Sequence, residues 1–262
     1  MCLILFAYEA HSKYSLILGV NRDEYYARPT LQANFWEEAP NVLAGKDLVE
    51  TGTWLGVTRQ GRLAALTNYR DPFSIKENAR SRGLLVRDYL CSLEEPSEYL
   101  TRVHKEREEY NGFNLLLLNN NYLWYYSNRE GQVQQVAPGV HGLSNHLLNT
   151  PWPKVVGGKQ ALLELVDRRE EVMVDGLFDL LANRRQAKDE ELPSTGVSLE
   201  WERILLPVFI QSEDYGTRSS TVILIDRCGH VLFCERTFIK GSRQTVSDVV
   251  YEFNFVKQRN FG

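Results

Sequence analysis

Hydrophobic and polar positions alternate in blocks along this chain, and the blocks change period several times. Cys2–Tyr8 is a short apolar run and Tyr14–Val20 a second, separated by the polar turn His11-Ser12-Lys13. Two β-rich runs joined so closely predict a hairpin, and the second run ends on the polar tetrad Asn21-Arg22-Asp23-Glu24. A later pair, Trp54–Thr58 and Leu63–Leu66, brackets Arg59-Gln60-Gly61-Arg62 and ends on Thr67-Asn68-Tyr69. Polar residues delivered at strand ends are where sites are commonly built.

Helical spacing then takes over at Gly83–Leu93 and, after Pro96, at Tyr99–Tyr110. Strand character returns at Phe113–Leu118, Tyr122–Tyr126 and Gln132–Val136, followed by Gly142-Leu143-Ser144-Asn145. A second helical pair, Lys154–Val166 and Asp175–Asn183, starts after Pro151-Trp152-Pro153 and carries Leu177, Leu180 and Leu181 on one face. The polar stretch Gln186–Gly196 reads as a flexible loop. Ser219–Asp226, Val231–Phe238 and Val249–Val256 close the chain as strands, the first two joined at Arg227-Cys228-Gly229. Strands, helix pair, strands, helix pair, strands is the order of an α+β protein in which two facing sheets are each covered by helices. A single domain over residues 1–262 with a four-layer α/β/β/α sandwich is expected.

Composition narrows the function. A net charge of −4 with acids and bases intermixed offers no basic stripe for nucleic acid. No apolar run is long enough to span a bilayer and no secretory leader is visible, so a cytoplasmic protein without stable membrane insertion is expected. Four cysteines, Cys2, Cys91, Cys228 and Cys234, form neither a disulfide framework nor a zinc pair and fit a reducing compartment. The five histidines lack metal-ligand spacing, and Gly157-Gly158-Lys159 lacks the first glycine and the Ser/Thr of a phosphate loop. Neither a metal nor a resident cofactor is expected.

Candidate chemistry begins at Cys2. If the initiator methionine is removed, one residue carries both a thiol nucleophile and an α-amine to act as its base. The two groups titrate near pH ~8.5 and ~8, so proton transfer between them is nearly thermoneutral. The plain alternative is a small apolar residue opening a buried strand. Asp23 is placed to hold the amine, Asn68 and Asn145 to donate to developing negative charge, and Arg218 to support the same anion or the thiolate. Taken singly, each also has an ordinary reading as a turn cap or a surface ion pair.

These residues lie within ordered motifs: Met1-Cys2-Leu3-Ile4, Asn21-Arg22-Asp23-Glu24 with Arg28-Pro29, Gly52-Thr53-Trp54-Leu55-Gly56 and Ala65-Leu66-Thr67-Asn68-Tyr69. Tyr110-Asn111-Gly112-Phe113-Asn114-Leu115, Gly142-Leu143-Ser144-Asn145, Thr150-Pro151-Trp152-Pro153-Lys154 and Tyr215-Gly216-Thr217-Arg218 follow. Across essentially its whole length the chain resembles the NRDE family, also called the transport and Golgi organisation protein 2 family. That family in turn resembles the N-terminal nucleophile (Ntn) hydrolases related to penicillin V acylase and bile-salt hydrolase. The resemblance implies catalytic roles for Cys2, Asp23, Asn68, Asn145 and Arg218. Two positions depart: Thr51 stands where the family usually has glycine, and Val20 where the acylases have arginine, with Arg22 on the strand face opposite Asp23.

Two functions are therefore expected as alternatives. One is a cysteine amidohydrolase or thioesterase acting on a small acylated compound through an acyl-cysteine. The other, implied by the family, is an intracellular carrier of haem, acyl-CoA or lipid, with haem as cargo. A haem slot calls for aromatic and apolar walls, and Tyr25, Tyr26, Phe35, Trp36 and Trp54 are expected near the mouth. The candidate ligand-binding set is Asn21, Arg22, Tyr25, Trp36, Trp54 and Tyr69.

Overall fold

Ile4, Phe6, Leu18 and Val20 alternate with Leu3, Leu5, Ala7 and Ile17 along the first hairpin, and both sets are buried. Strands that are apolar on both faces need a layer on each side. The computed structural model, which describes residues 2–119, 122–167, 172–186, 188–240, 242 and 244–256 and the backbone alone at Cys2, supplies those layers.

The chain opens with β1 (Cys2–Tyr8) and β2 (Tyr14–Tyr25), continues through β3 (Thr30–Phe35), β4 (Val42–Asp47), β5 (Leu55–Thr58) and β6 (Leu63–Asn68), and then forms helices α1 (Gly83–Cys91) and α2 (Pro96–Lys105). Strands β7 (Phe113–Leu118), β8 (Leu123–Ser127), β9 (Val133–Gln135) and β10 (Gly139–Leu143) follow. Three helices come next: α3 (Pro153–Val166), α4 (Val174–Leu181) and α5 (Leu199–Leu205). The chain returns through β11 (Tyr215–Asp226), β12 (His230–Phe238) and β13 (Thr245–Asn254). One sheet has the order β10-β1-β2-β11-β12-β13 and the other β3-β4-β5-β6-β7-β8-β9.

Three apolar layers hold the stack together. Ile4, Phe6, Leu18 and Val20 meet Leu43, Val57, Leu63 and Leu116 between the sheets. Leu85, Val86, Tyr99 and Leu100 seat α1 and α2 on the outer face of the seven-stranded sheet, and Val155, Leu162, Leu177 and Phe178 seat α3 and α4 on the other. This is the expected four-layer α/β/β/α sandwich. Strands β3 and β4 and helix α5 are additions to the pattern read from the sequence. The second helix is also shorter than its periodicity suggested, giving way to a 3-10 turn at Arg107–Glu109.

The turn after β4 has one local strain. Thr51 adopts φ +57°, in the left-handed region, where a β-branched side chain costs roughly 1–2 kcal/mol. Thr51→Gly is expected to stabilise the protein by about 0.5–1 kcal/mol after the loss of unfolded-state restriction is deducted. Urea denaturation of the two proteins, read by circular dichroism, measures the difference.

Candidate active site

The hairpin brings the two ends of the site together. In the β1–β2 ladder Cys2 is paired with Arg22 and Leu3 with Asn21, so Asp23 lies one step beyond Cys2 on the neighbouring strand. The Cys2 side chain itself is outside the described residues. On its other side β2 pairs with β11, where Thr217 stands opposite Asp23 and donates its hydroxyl to Asp23 Oδ1 at 2.7 Å. Tyr215 donates its hydroxyl to the Asp23 carbonyl at 3.1 Å. Burial pushes the Asp23 carboxyl up to about 6, against the opposing pull of Lys154, the Thr217 hydroxyl and Arg22.

Asn68 ends β6 on the facing sheet and is fixed by Asn145, which lies just past β10. Asn145 Nδ2 donates to the Asn68 carbonyl at 2.9 Å, and its own carbonyl accepts from the Arg70 amide at 2.7 Å. Asn145 is buried. Its described contacts make it the residue that positions Asn68, whose side chain remains at the cleft.

The cleft, about 260 Å³, opens between the sheet ends and is lined by Arg22, Asp23, Trp54, Leu66 and Asn68 among others. Arg22 lies 4.2 Å over the Trp54 ring and reaches Asp47 Oδ2 at 3.4 Å. Arg28 binds the same carboxylate through Nε at 2.5 Å and Nη2 at 3.1 Å. Asp47 also accepts from the Val49 and Glu50 amides, each at 3.0 Å. Burial would raise the Asp47 carboxyl, but Arg28 and these amides hold it below the ordinary carboxylate range. Close backbone contact sets the far wall: a Cβ on Gly52 would stand 2.4 Å from the Gly83 carbonyl carbon, so only glycine fits.

Several expected site residues lie elsewhere. Asn21 Nδ2 donates to the Leu181 and Val208 carbonyls at 2.9 and 2.8 Å, and its side-chain oxygen accepts from Ser220; it pins α4 to the sheet. Trp36 packs under the outer helices and donates Nε1 to the Ala44 carbonyl. Tyr25 is exposed and packs edge-on against Tyr215, while Phe35 packs on Tyr251 and Phe253. The Tyr69 hydroxyl pairs with His146 Nε2 at 2.8 Å. Arg218 sits at a bulge in β11 and donates Nη1 to the Tyr25 and Arg28 carbonyls at 3.0 and 2.7 Å. It braces the turn that carries Arg28 and does not line the cleft.

Other groups were missed by sequence reasoning. Lys154 is buried and donates Nζ to the Leu205 carbonyl at 2.8 Å; its charge acts on Asp23. Arg70 and Glu202 form a buried ion pair at 2.9 Å, with Arg70 stacked 5.1 Å from Trp152. Asp47 had no motif to mark it. Lys154 and Arg28 did lie inside ordered motifs, which was the available signal. Among the described residues no group of three His, Cys, Asp or Glu side chains is arranged to hold a metal, and no helix is long and apolar enough to cross a membrane.

A cysteine-led hairpin, a buried aspartate on the next strand and facing sheets flanked by helices define an Ntn-hydrolase fold. The bile acid hydrolase of Clostridium perfringens, solved as the mutant C2A, superimposes with a TM-score of 0.52 at 9% identity, covering 98% of each chain. The chain belongs to the Transport and Golgi organisation 2 family, whose model matches residues 1–240. It is 39% identical over 273 residues to the Bos taurus Transport and Golgi organization protein 2 homolog, covering 97% of this chain and 99% of the relative. The Homo sapiens homolog is 37% identical over 277 residues, with the same coverage of each chain.

The perturbed carboxyl makes a signed prediction. Asp23 titrates near 3.8 when unperturbed and at about 6 in the fold, so the folded state binds the proton more tightly. Its contribution to stability is fully present below pH ~4 and is lost as pH rises through about 6. Relative to wild type, Asp23→Asn should therefore gain roughly 2–3 kcal/mol between pH ~4 and pH ~7.5. Urea unfolding of both proteins at the two pH values isolates this group from Glu235, a second buried carboxylate that is raised by burial.

Proposed function

We propose that this protein is an N-terminal cysteine hydrolase that cleaves the amide or thioester bond of a small acylated compound. The observation that carries the reading is that a buried Asp23, one step beyond Cys2 in the β1–β2 register, lines the same cleft as Asn68, whose backbone carbonyl Asn145 holds. With Met1 removed, the Cys2 amine takes the thiol proton and Asp23 holds the resulting ammonium. The sulfur attacks the acyl carbon while Asn68 donates to the oxyanion. The carbon–nitrogen or carbon–sulfur bond then breaks, and the leaving group departs with the proton carried by the amine. Water, deprotonated by the same amine, attacks the acyl-cysteine and releases the acid and the free thiol.

The alternative is a carrier of haem or acyl-CoA using the same cleft. It needs aromatic walls, and of the aromatics expected at the mouth Trp54 lines the cleft while Tyr25 and Trp36 lie outside it. Haemin and acyl-CoA titrations of wild type and Trp54→Ala address that reading directly.

For the hydrolase, intact mass is expected to show protein lacking Met1. Cys2→Ala should abolish turnover across a panel of acyl-amides and thioesters, and Asn68→Ala should lower it by about a hundredfold. Brief iodoacetamide treatment at neutral pH supplies an independent check, because burial pushes the Cys234 thiol up to about 11. Cys2 should alkylate far faster than Cys234. Equal rates, or turnover that survives Cys2→Ala, overturn the assignment.

A further inference from the structure

The cation expected for the thiolate, Arg218, braces a turn instead. The strand register supplies another. Ile4 and Phe6 of β1 and Leu18 and Val20 of β2 all belong to the apolar layer between the sheets. Successive strand residues alternate between faces, so the register puts Cys2 on the inner face with Ile4, and Arg22 on that same face with Val20. Asp23 falls on the other face with Asn21, which pins α4. Cys2 and Arg22 stand directly opposite each other, and such cross-strand pairs have Cβ atoms about 4.5–5.5 Å apart.

The surroundings leave Arg22 a strong source of positive potential. It is buried and lines the cleft, where water screens a charge weakly. Asp47 does not cancel it, because Arg28 takes that carboxylate through two nitrogens while Arg22 reaches it at 3.4 Å. Two guanidiniums on one carboxylate leave a positive charge over. Trp54, 4.2 Å away, holds the guanidinium by its ring face without neutralising it. The field of Arg22 acts on the buried carboxyls of Asp23 and Glu235, drawing both down against their desolvation. The other charges at the cleft oppose one another, Glu24 and Glu50 against Arg80 and Arg82. Lys154 acts on Asp23 from α3, in the helical layer.

We infer that Arg22 is a catalytic residue of the proposed hydrolase, the cation that holds the Cys2 sulfur as the attacking thiolate. This rests on the hydrolase reading and extends it, giving Arg22 a part in the chemistry in place of the ligand contact expected of it. The S–H proton passes to the α-amine, which Asp23 serves, so no further acid or base is required.

The test reads the thiol itself and needs no substrate. Iodoacetamide alkylation of Cys2 is followed by peptide mass between pH ~5 and ~10, because only the thiolate reacts. The wild-type thiol is expected to titrate near pH ~7 or below, against the ordinary ~8.5. Arg22→Gln should cut the thiolate fraction at neutral pH about tenfold, and Arg22→Lys, which keeps the charge, should restore most of it. Asp47→Asn should move the titration the other way, to lower pH, because it removes the carboxylate that Arg22 shares. Both Arg22→Gln and Asp47→Asn break the same hub, so a purely structural effect would move the thiol in one direction in both.

A wild-type thiol that titrates at ~8.5 or above, or a titration unmoved by Arg22→Gln, overturns the inference. If Arg22→Gln fails to fold by circular dichroism, the sign of the change in Asp47→Asn decides, and a move to higher pH overturns it. Turnover separates the two claims. A lowered thiol that depends on Arg22, in a protein that hydrolyses nothing, keeps the role of Arg22 and removes the hydrolase. Hydrolysis through a thiol that Arg22→Gln leaves unmoved does the reverse.

Discussion

The carboxylate of Asp47 is the joint on which the site is built. It ends β4 in one sheet and receives Arg22 from β2 in the other, together with Arg28 and two amides of its own turn. Facing sheets held only by apolar side chains would close over the gap between their ends. A charged hub with several donors keeps polar groups there satisfied and leaves room beside them. Removing one member would strand buried charge, at a cost of about 3–5 kcal/mol. Trp54 completes the joint from above the Arg22 guanidinium, which favours a planar cation over a lysine at that position.

Asp23 and Asn145 show how the fold divides labour. Both are buried, and both are held by neighbouring backbone or side-chain groups. Asp23 spends one oxygen on Thr217 and is surrounded by cations that only partly offset its desolvation. A carboxyl balanced near pH 6 responds to a charge arriving beside it far more than one that is fully solvated. Asn145 shapes the neighbouring strand end. The functional group it presents to the cleft is, in effect, the position of Asn68.

Much of this architecture was legible in the sequence because its signals are local. The first hairpin announces itself by apolar runs around His11–Lys13, and the helix pairs by apolar spacing. Strands β3 and β4 were not legible: Gln32, Asn34, Gly45 and Lys46 break the apolar pattern, and the β3–β4 register shifts between Leu31 and Asn34. Helix α5, seven residues long, is too short to show a helical period, and it presents Glu202 to Arg70 and Thr195. In the site, Asp23 and Asn68 follow from strand-end position. The Asp47 hub does not, because its members meet only when two sheets stack. Arg218 was misplaced for a related reason: one bulge in β11 redirects it to the backbone of the β2–β3 turn.

The hydrogen bond from Asn145 to the Asn68 carbonyl crosses from one sheet to the other. Such a bond keeps its strength over only a few tenths of an ångström, whereas the gap between sheets is set by the volumes of Ile4, Phe6, Leu18 and their partners. The apolar interior is therefore a ruler as well as a glue. A methyl group added or lost between the sheets, far from any polar atom, changes the length that the asparagine pair must span, so the tolerance of this core to substitution is limited by alignment at the cleft before it is limited by unfolding.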